Sequence, residues 1–275
     1  MSALTDALAG VDTWSADHAA VALVGPDGIV ASHGDPTRVF RWASVTKLAT
    51  ALAVLAAVDD GVIDLDEPAG PPGSTVRHLL AHASGLAFDG QRVLAAPGTR
   101  RIYSNTGFDV LGSVLEDRSR RPFAVALADH VLAPLGMAAT ELLERPSQGL
   151  HGPLIDLTAF AADLLRPTTI RPATLALAGA VAFPGLKGVL PGIGAFDPLD
   201  WGLGFEIRDG KSPHWTGDRN GAATIGHFGG SGTFLWVDPG LGRALVCLTD
   251  REFGAWSLEA WPPFSDRVIE AIAAG

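Results

Sequence analysis

Strand-forming patterns are confined to the two ends of this chain, and that separation limits the folds open to it. Two short apolar runs at 18–24 and 28–32 flank Gly25-Pro26-Asp27-Gly28, turn chemistry that joins strands into a hairpin. Alternating, β-branched and aromatic stretches return at 203–208, 222–228, 232–237 and 243–249, the last two linked by the turn Asp238-Pro239-Gly240. Between about 68 and 195 the spacing is helical and punctuated by Pro and Gly, with helices expected at 75–82, 106–117, 123–132 and 154–165. A closing helix is read at 266–274. Strands at the two ends with helices between them pair most simply with each other, which predicts an α+β fold around one antiparallel sheet. Residues 1–67 and 196–275 then form a discontinuous α/β domain, 68–195 form a mostly helical insertion lobe, and a cleft lies between them. No internal repeat or low-complexity linker points to tandem domains.

With 275 residues, 47% apolar and 18% charged, the chain has the material for an ordinary globular core. A net charge of −10 offers no basic stripe for a phosphate backbone, so nucleic acid and anionic membrane surfaces are poor partners and a small neutral or polar molecule suits better. The N-terminus lacks a basic n-region and an apolar h-region, and no uninterrupted apolar run reaches membrane-spanning length, so a cytoplasmic location is expected. The lone Cys247 sits in an apolar strand-like run and is read as a small core hydrophobe.

Scarce residue types fall where chemistry needs them. The chain has twelve Phe but one Tyr, and three Lys (Lys47, Lys187, Lys211) among twenty basic residues. Ser44-Val45-Thr46-Lys47 opens an apolar helix with Leu48, Ala51, Leu52, Leu55 and Val58 at helical spacing and Gly61 as the left-handed stop. The only tyrosine stands in Tyr103-Ser104-Asn105. An accidental Ser-x-x-Lys is expected roughly 0.15 times in this composition, but an accidental Tyr-x-Asn only about 0.007 times, so the second motif is the more informative. His227-Phe228-Gly229-Gly230 is expected about once by chance and counts only in context.

A serine hydroxyl must lose its proton as it attacks, so it needs a base, and Lys47 shares the helix face of Ser44. Burial in a cleft would lower the lysine pKa, and the helix N-terminus favours a developing oxyanion. Tyr103 is read as general base for attack and general acid for the leaving group, and Asn105 as a partner of Lys47 or of the substrate carbonyl. The 227–230 segment is read as an edge strand beside the substrate, with His227 positioning it and Gly230 admitting a close N–H as the second oxyanion donor after Ser44.

These motifs, together with Val76-Arg77-His78-Leu79-Leu80-Ala81-His82-Ala83-Ser84-Gly85-Leu86, Pro134-Leu135-Gly136-Met137, Trp201-Gly202-Leu203-Gly204-Phe205 and the 226–239 stretch leading to Leu248-Thr249-Asp250, resemble the penicillin-recognising serine hydrolases in matching order. That group includes class C beta-lactamases, serine D-Ala-D-Ala carboxypeptidases and beta-lactamase-like esterases. The resemblance implies a beta-lactamase/transpeptidase-like fold and gives Ser44, Lys47, Tyr103 and Asn105 the nucleophile, lysine, tyrosine and asparagine roles. Family members that act on penicillins or peptide C-termini usually carry a hydroxyl residue in the third motif, where this chain has Phe228. Losing that donor removes a charge-assisted hydrogen bond to a substrate carboxylate worth about 1.5–3 kcal/mol, which favours small esters or neutral amides. The region from about 145 to 200 also looks short for the group, which would open the cleft.

The expected activity is that of a carboxylesterase working through an acyl-enzyme. The alternatives are a D-amino-acid amidase or peptidase, a weak beta-lactamase, or an inactive relative that only binds a ligand. No cofactor or metal is expected, since His78 and His82 have the spacing of a ligand pair but no third ligand. Ser84 lacks the G-x-S-x-G frame of a nucleophile elbow, and Trp201, Trp215, Trp236, Trp256 and Trp261 are read as core and rim.

Overall fold

A computed structural model describes residues 3–274. Helix α1 (Ala3–Leu8) precedes the hairpin of β1 (Ala19–Gly25) and β2 (Gly28–His33), and β3 (Val39–Arg41) runs through a 3₁₀ turn at Ala43–Val45 into α2 (Thr46–Asp59). Next come α3 (Val76–Leu80), β4 (Arg101–Ile102), α4 (Asn105–Ser119), α5 (Phe123–Leu127), β5 (Glu141–Leu142) and β6 (Leu150–Pro153). They lead to α6 (Leu154–Leu165), α7 (Pro172–Ala178), β7 (Gly188–Leu190) and β8 (Gly194–Phe196). The chain closes with β9 (Glu206–Ile207), β10 (Ile225–Gly229), β11 (Thr233–Asp238), β12 (Arg243–Thr249) and α8 (Ala255–Ala273).

The two ends of the chain share one six-stranded sheet of order β2-β1-β12-β11-β10-β9, antiparallel throughout, with β1 against β12 from Ala19↔Thr249 to Val24↔Ala244. Both faces are covered, so the central strands read as continuous apolar runs. Ala20, Ala22 and Val24 join the core around α2 and α6, whereas Val21, Leu23 and Cys247 pack with Trp236, Trp261, Phe264 and Val268 on the other face. Cys247 is buried, as its surroundings in sequence suggest. Four of the five C-terminal tryptophans are fully buried and Trp256 partly so.

Several elements differ from the sequence pattern for physical reasons. The last helix starts at Ala255 instead of 266 and carries Pro262 and Pro263 inside it. Burial of Trp261, Phe264, Val268 and Ile269 against the sheet outweighs the local preference of two prolines. The strand expected at 203–208 shrinks to Glu206–Ile207 because Gly204 adopts φ +94° and presses on α2, where a Cβ would lie 2.2 Å from the Ala51 Cβ. Within 68–195 the chain is mostly helical, yet it also holds β4 to β7, which are two to four residues long and too short to show alternation. Here β6 pairs with β3 and β5, and β7 pairs with β4 and β8. Helix α6, from the same span, packs on β1, β2, β11 and β12. The division at 67/68 and 195/196 is retained as a proposal.

Candidate active site

The turn before Ser44 is tied to β6 and β11. The Trp42 N–H donates to the Leu150 carbonyl (2.9 Å) and its indole N–H to the Gly152 carbonyl (3.1 Å), while Thr233 donates its hydroxyl to the Trp42 carbonyl (3.0 Å). Ala43 is held at φ +45°, a conformation that costs an L-residue about 1–3 kcal/mol and persists only where surroundings enforce it. Ser44 therefore enters the cleft at the start of the helical run, half-buried, with Lys47 one turn on.

The close approach of β10 to this turn needs a glycine at position 229. A Cβ on Gly229 would lie 2.4 Å from the Trp42 carbonyl oxygen and 2.5 Å from Thr233 Oγ1, whereas a Cβ on Gly230 would meet only open space in the cleft. Gly229 seats the nucleophile's turn, and Gly230 leaves room for a ligand.

Lys47 is fully buried. Its Nζ donates to Asn105 Oδ1 (2.6 Å) and to the Ser147 carbonyl (2.9 Å), and lies 3.3 Å from Ser44 Oγ. Burial pulls its pKa down to about 7; Asp109 and Asp89 oppose that shift, and Arg145 adds to it. A neutral amine has two N–H donors and one lone pair. Two carbonyl oxygens here occupy the donors, so the third direction, toward Ser44 Oγ, is left for the lone pair.

The Tyr103-Ser104-Asn105 triplet is set by the N-terminus of α4. Ser104 is its N-cap, accepting from the Gly107 N–H (3.0 Å), and the Ser104 N–H donates to His82 Nδ1 (3.1 Å). This turn lays Tyr103 over Lys47, with the amine 4.8 Å from the ring centroid. Burial raises the Tyr103 pKa well above the usual phenol value, and a hydrogen bond with Ser44 opposes this more weakly. His227 lies across the phenol, with Nε2 3.4 Å from the hydroxyl and Nδ1 2.6 Å from its neighbour's carbonyl, Phe228 O. Burial, with Lys47 nearby, pulls the His227 pKa down to about 3, so the ring is neutral, Nδ1 carries the proton and Nε2 faces Tyr103 as an acceptor.

Ser44, Tyr103, His227, Phe228 and Gly230 line one cavity of about 200 Å³. Its remaining wall, Phe88, Leu190, Pro191, Gly192 and Phe253, is apolar, and among the described residues no Lys or Arg lines it. The Phe228 and Phe253 rings pack tilted at 35°, with centroids 4.8 Å apart. Ser44, Lys47, Tyr103, Asn105 and the 227–230 segment lie together in space, joined by Ser147 and the Phe88, Leu190 and Phe253 walls, which the sequence pattern does not reveal. Ser147 acts through its backbone carbonyl, which leaves no side-chain signature. His78 and His82 do not converge: His78 stacks on Phe183 and bonds Thr75, while His82 packs beside Tyr103.

The sequence profile of the beta-lactamase family matches residues 15–267. The chain belongs to that family. Among solved structures, a beta-lactamase from Mycobacterium bovis is 53% identical, with a TM-score of 0.95 over 97% of this chain and 99% of that one. D-alanyl-D-alanine-carboxypeptidase/endopeptidase AmpH of Escherichia coli is 27% identical across 147 residues, 40% of this chain and 38% of AmpH. Esterase EstB of Burkholderia gladioli is 32% identical across 181 residues, 42% of this chain and 46% of EstB. The matches thus cover less than half the length of either curated relative. The beta-lactamase family is one of serine hydrolases whose members include esterases and peptidases. Among the described residues no helix is long and apolar enough to cross a membrane.

Proposed function

We propose that this protein is a serine hydrolase acylated at Ser44, acting as a carboxylesterase on small neutral esters without a cofactor. The observation that carries this reading is the buried Lys47 amine, bonded to Asn105 Oδ1 and the Ser147 carbonyl and 3.3 Å from Ser44 Oγ, so that in the neutral amine the lone pair is left to face Ser44. With a pKa near 7, a large fraction of the amine is unprotonated at neutral pH and takes the Ser44 proton as the oxygen attacks the ester carbonyl. Raised by burial, Tyr103 stays a neutral phenol in the free enzyme, so the electrostatics favour Lys47 over Tyr103 as the proton acceptor. As the tetrahedral intermediate collapses, Tyr103 leaves its resting hydrogen bond to neutral His227, gives its hydroxyl proton to the leaving alkoxide and takes the proton held by the Lys47 ammonium, which returns Lys47 to the neutral amine. The Ser44 and Gly230 N–H groups are the proposed oxyanion donors, and water deacylates the enzyme along the reverse proton path.

The cleft wall supports the neutral-ester reading. With Phe228 in place of a hydroxyl residue and no cation lining the cavity, a substrate carboxylate finds no charge partner. A beta-lactam or a D-amino-acid amide or peptide is the second reading, favoured by the names of the M. bovis neighbour and AmpH. A binding protein without turnover is the reading from another class.

Hydrolysis of a short-chain p-nitrophenyl ester and of a chromogenic cephalosporin, in wild type and Tyr103→Phe, separates these readings. We expect ester turnover well above cephalosporin turnover, a kcat/KM that climbs with pH through about 7 as Lys47 loses its proton and then levels, and a loss of roughly 10²-fold in Tyr103→Phe. Ester hydrolysis unchanged in Tyr103→Phe would overturn the proton path, and faster cephalosporin turnover would reverse the substrate assignment.

A further inference from the structure

Asn105 and Ser147, the two acceptors on Lys47, are themselves held from behind. Asn105 Nδ2 donates to Asp89 Oδ2 (3.4 Å), and the Ser147 N–H donates to Asp109 Oδ1 (3.2 Å). One nitrogen of Arg145, Nη1, lies 3.2 Å from Asp89 Oδ1 and 3.2 Å from Asp109 Oδ2. The contacts close a ring: Lys47, Asn105, Asp89, Arg145, Asp109, Ser147 and back to Lys47. The members come from α2, the loop after α3, α4 and the loop between β5 and β6, so the ring ties together four segments around this amine.

We propose that Arg145 is a positioning residue which, by bridging Asp89 and Asp109, holds Asn105 and the Ser147 carbonyl on Lys47 and sets the electric field at that amine. The inference rests on the reading of Lys47 as the base. The other polar groups facing the amine are Ser44, the neutral phenol of Tyr103 and the neutral imidazoles of His82 and His227, so the nearby formal charges are those of the ring. The two carboxylates favour the ammonium and the guanidinium disfavours it, so removing one or the other should move Lys47 in opposite directions. A bracket with only a mechanical role would move it in neither direction.

Since the chain has three lysines, protein labelled with ε-¹³C lysine gives three resonances, and Lys47→Met identifies the one from Lys47. We expect its titration midpoint near 7 in wild type. These charges are partly exposed and therefore screened, so Arg145→Ala should raise the midpoint by roughly 0.5 unit and Asp89→Asn should lower it by a similar amount. Arg145→Lys should restore the wild-type midpoint, and both shifts should shrink at about 1 M salt, where the Debye length is about 3 Å. The acid limb of kcat/KM on the p-nitrophenyl ester should move with each midpoint. Coincident titrations in all variants around a wild-type midpoint near 7 would overturn this inference alone. A wild-type Lys47 with an ordinary lysine midpoint would overturn both it and the reading beneath it.

Discussion

Lys47→Met is expected to lower kcat/KM for ester hydrolysis by roughly 10²–10⁴-fold, the range that positioned acid–base groups supply. Methionine matches the length of the lysine stem and places no charge in a fully buried site, so the fold should survive. What disappears is the only group beside Ser44 Oγ whose pKa lies near neutrality, since Tyr103 is pushed up and His227 is held near 3. The residual rate should also lose the inflection near pH 7, because that inflection is the titration of Lys47. Steady-state kinetics across pH 5 to 9, with circular dichroism to verify folding, checks this. A variant that keeps both the rate and the inflection would remove Lys47 from the mechanism.

Gly229→Ala should damage both stability and activity, while its neighbour should not. The added methyl meets the Trp42 carbonyl at 2.4 Å and Thr233 Oγ1 at 2.5 Å, both fixed in hydrogen bonds, so either β10 or the turn carrying Ser44 must retreat. Overpacking of this kind costs about 1–3 kcal/mol. A nucleophile displaced by an ångström loses roughly 10²-fold in rate. Gly230→Ala projects into open cleft and keeps its backbone N–H, so Tm should hold while KM for bulky acyl groups rises. Thermal melts and ester kinetics on the pair check the contrast, and equal behaviour of the two variants would contradict the packing argument.

Much of this was legible before the structure because the informative elements are long or chemically scarce. Strand β12 and helix α6 have the bounds that their apolar pattern predicts, and the hairpin of β1 and β2 forms around its Gly-Pro-Asp-Gly turn. Tyr103 and Lys47 stand out because each type is rare in the chain. The parts that stayed hidden depend on contacts between distant segments. The strands β3 to β8 are short and gain their partners only through tertiary pairing. Helix α8 runs through two prolines because its tryptophan and phenylalanine side chains are buried. The support of Lys47 by a backbone carbonyl at Ser147, and the steric demand at Gly229, arise from main-chain atoms, which carry no residue-type signal.

Acylation of Ser44 underlies every step of the proposed mechanism. Intact-protein mass after exposure to a fluorophosphonate probe, on wild type and Ser44→Ala, tests it most directly. A single adduct on wild type, mapped to Ser44 and absent from Ser44→Ala, is the predicted result. An adduct that persists in Ser44→Ala, or a wild type that takes up no probe, would contradict the claim, and the second outcome would favour a ligand-binding relative.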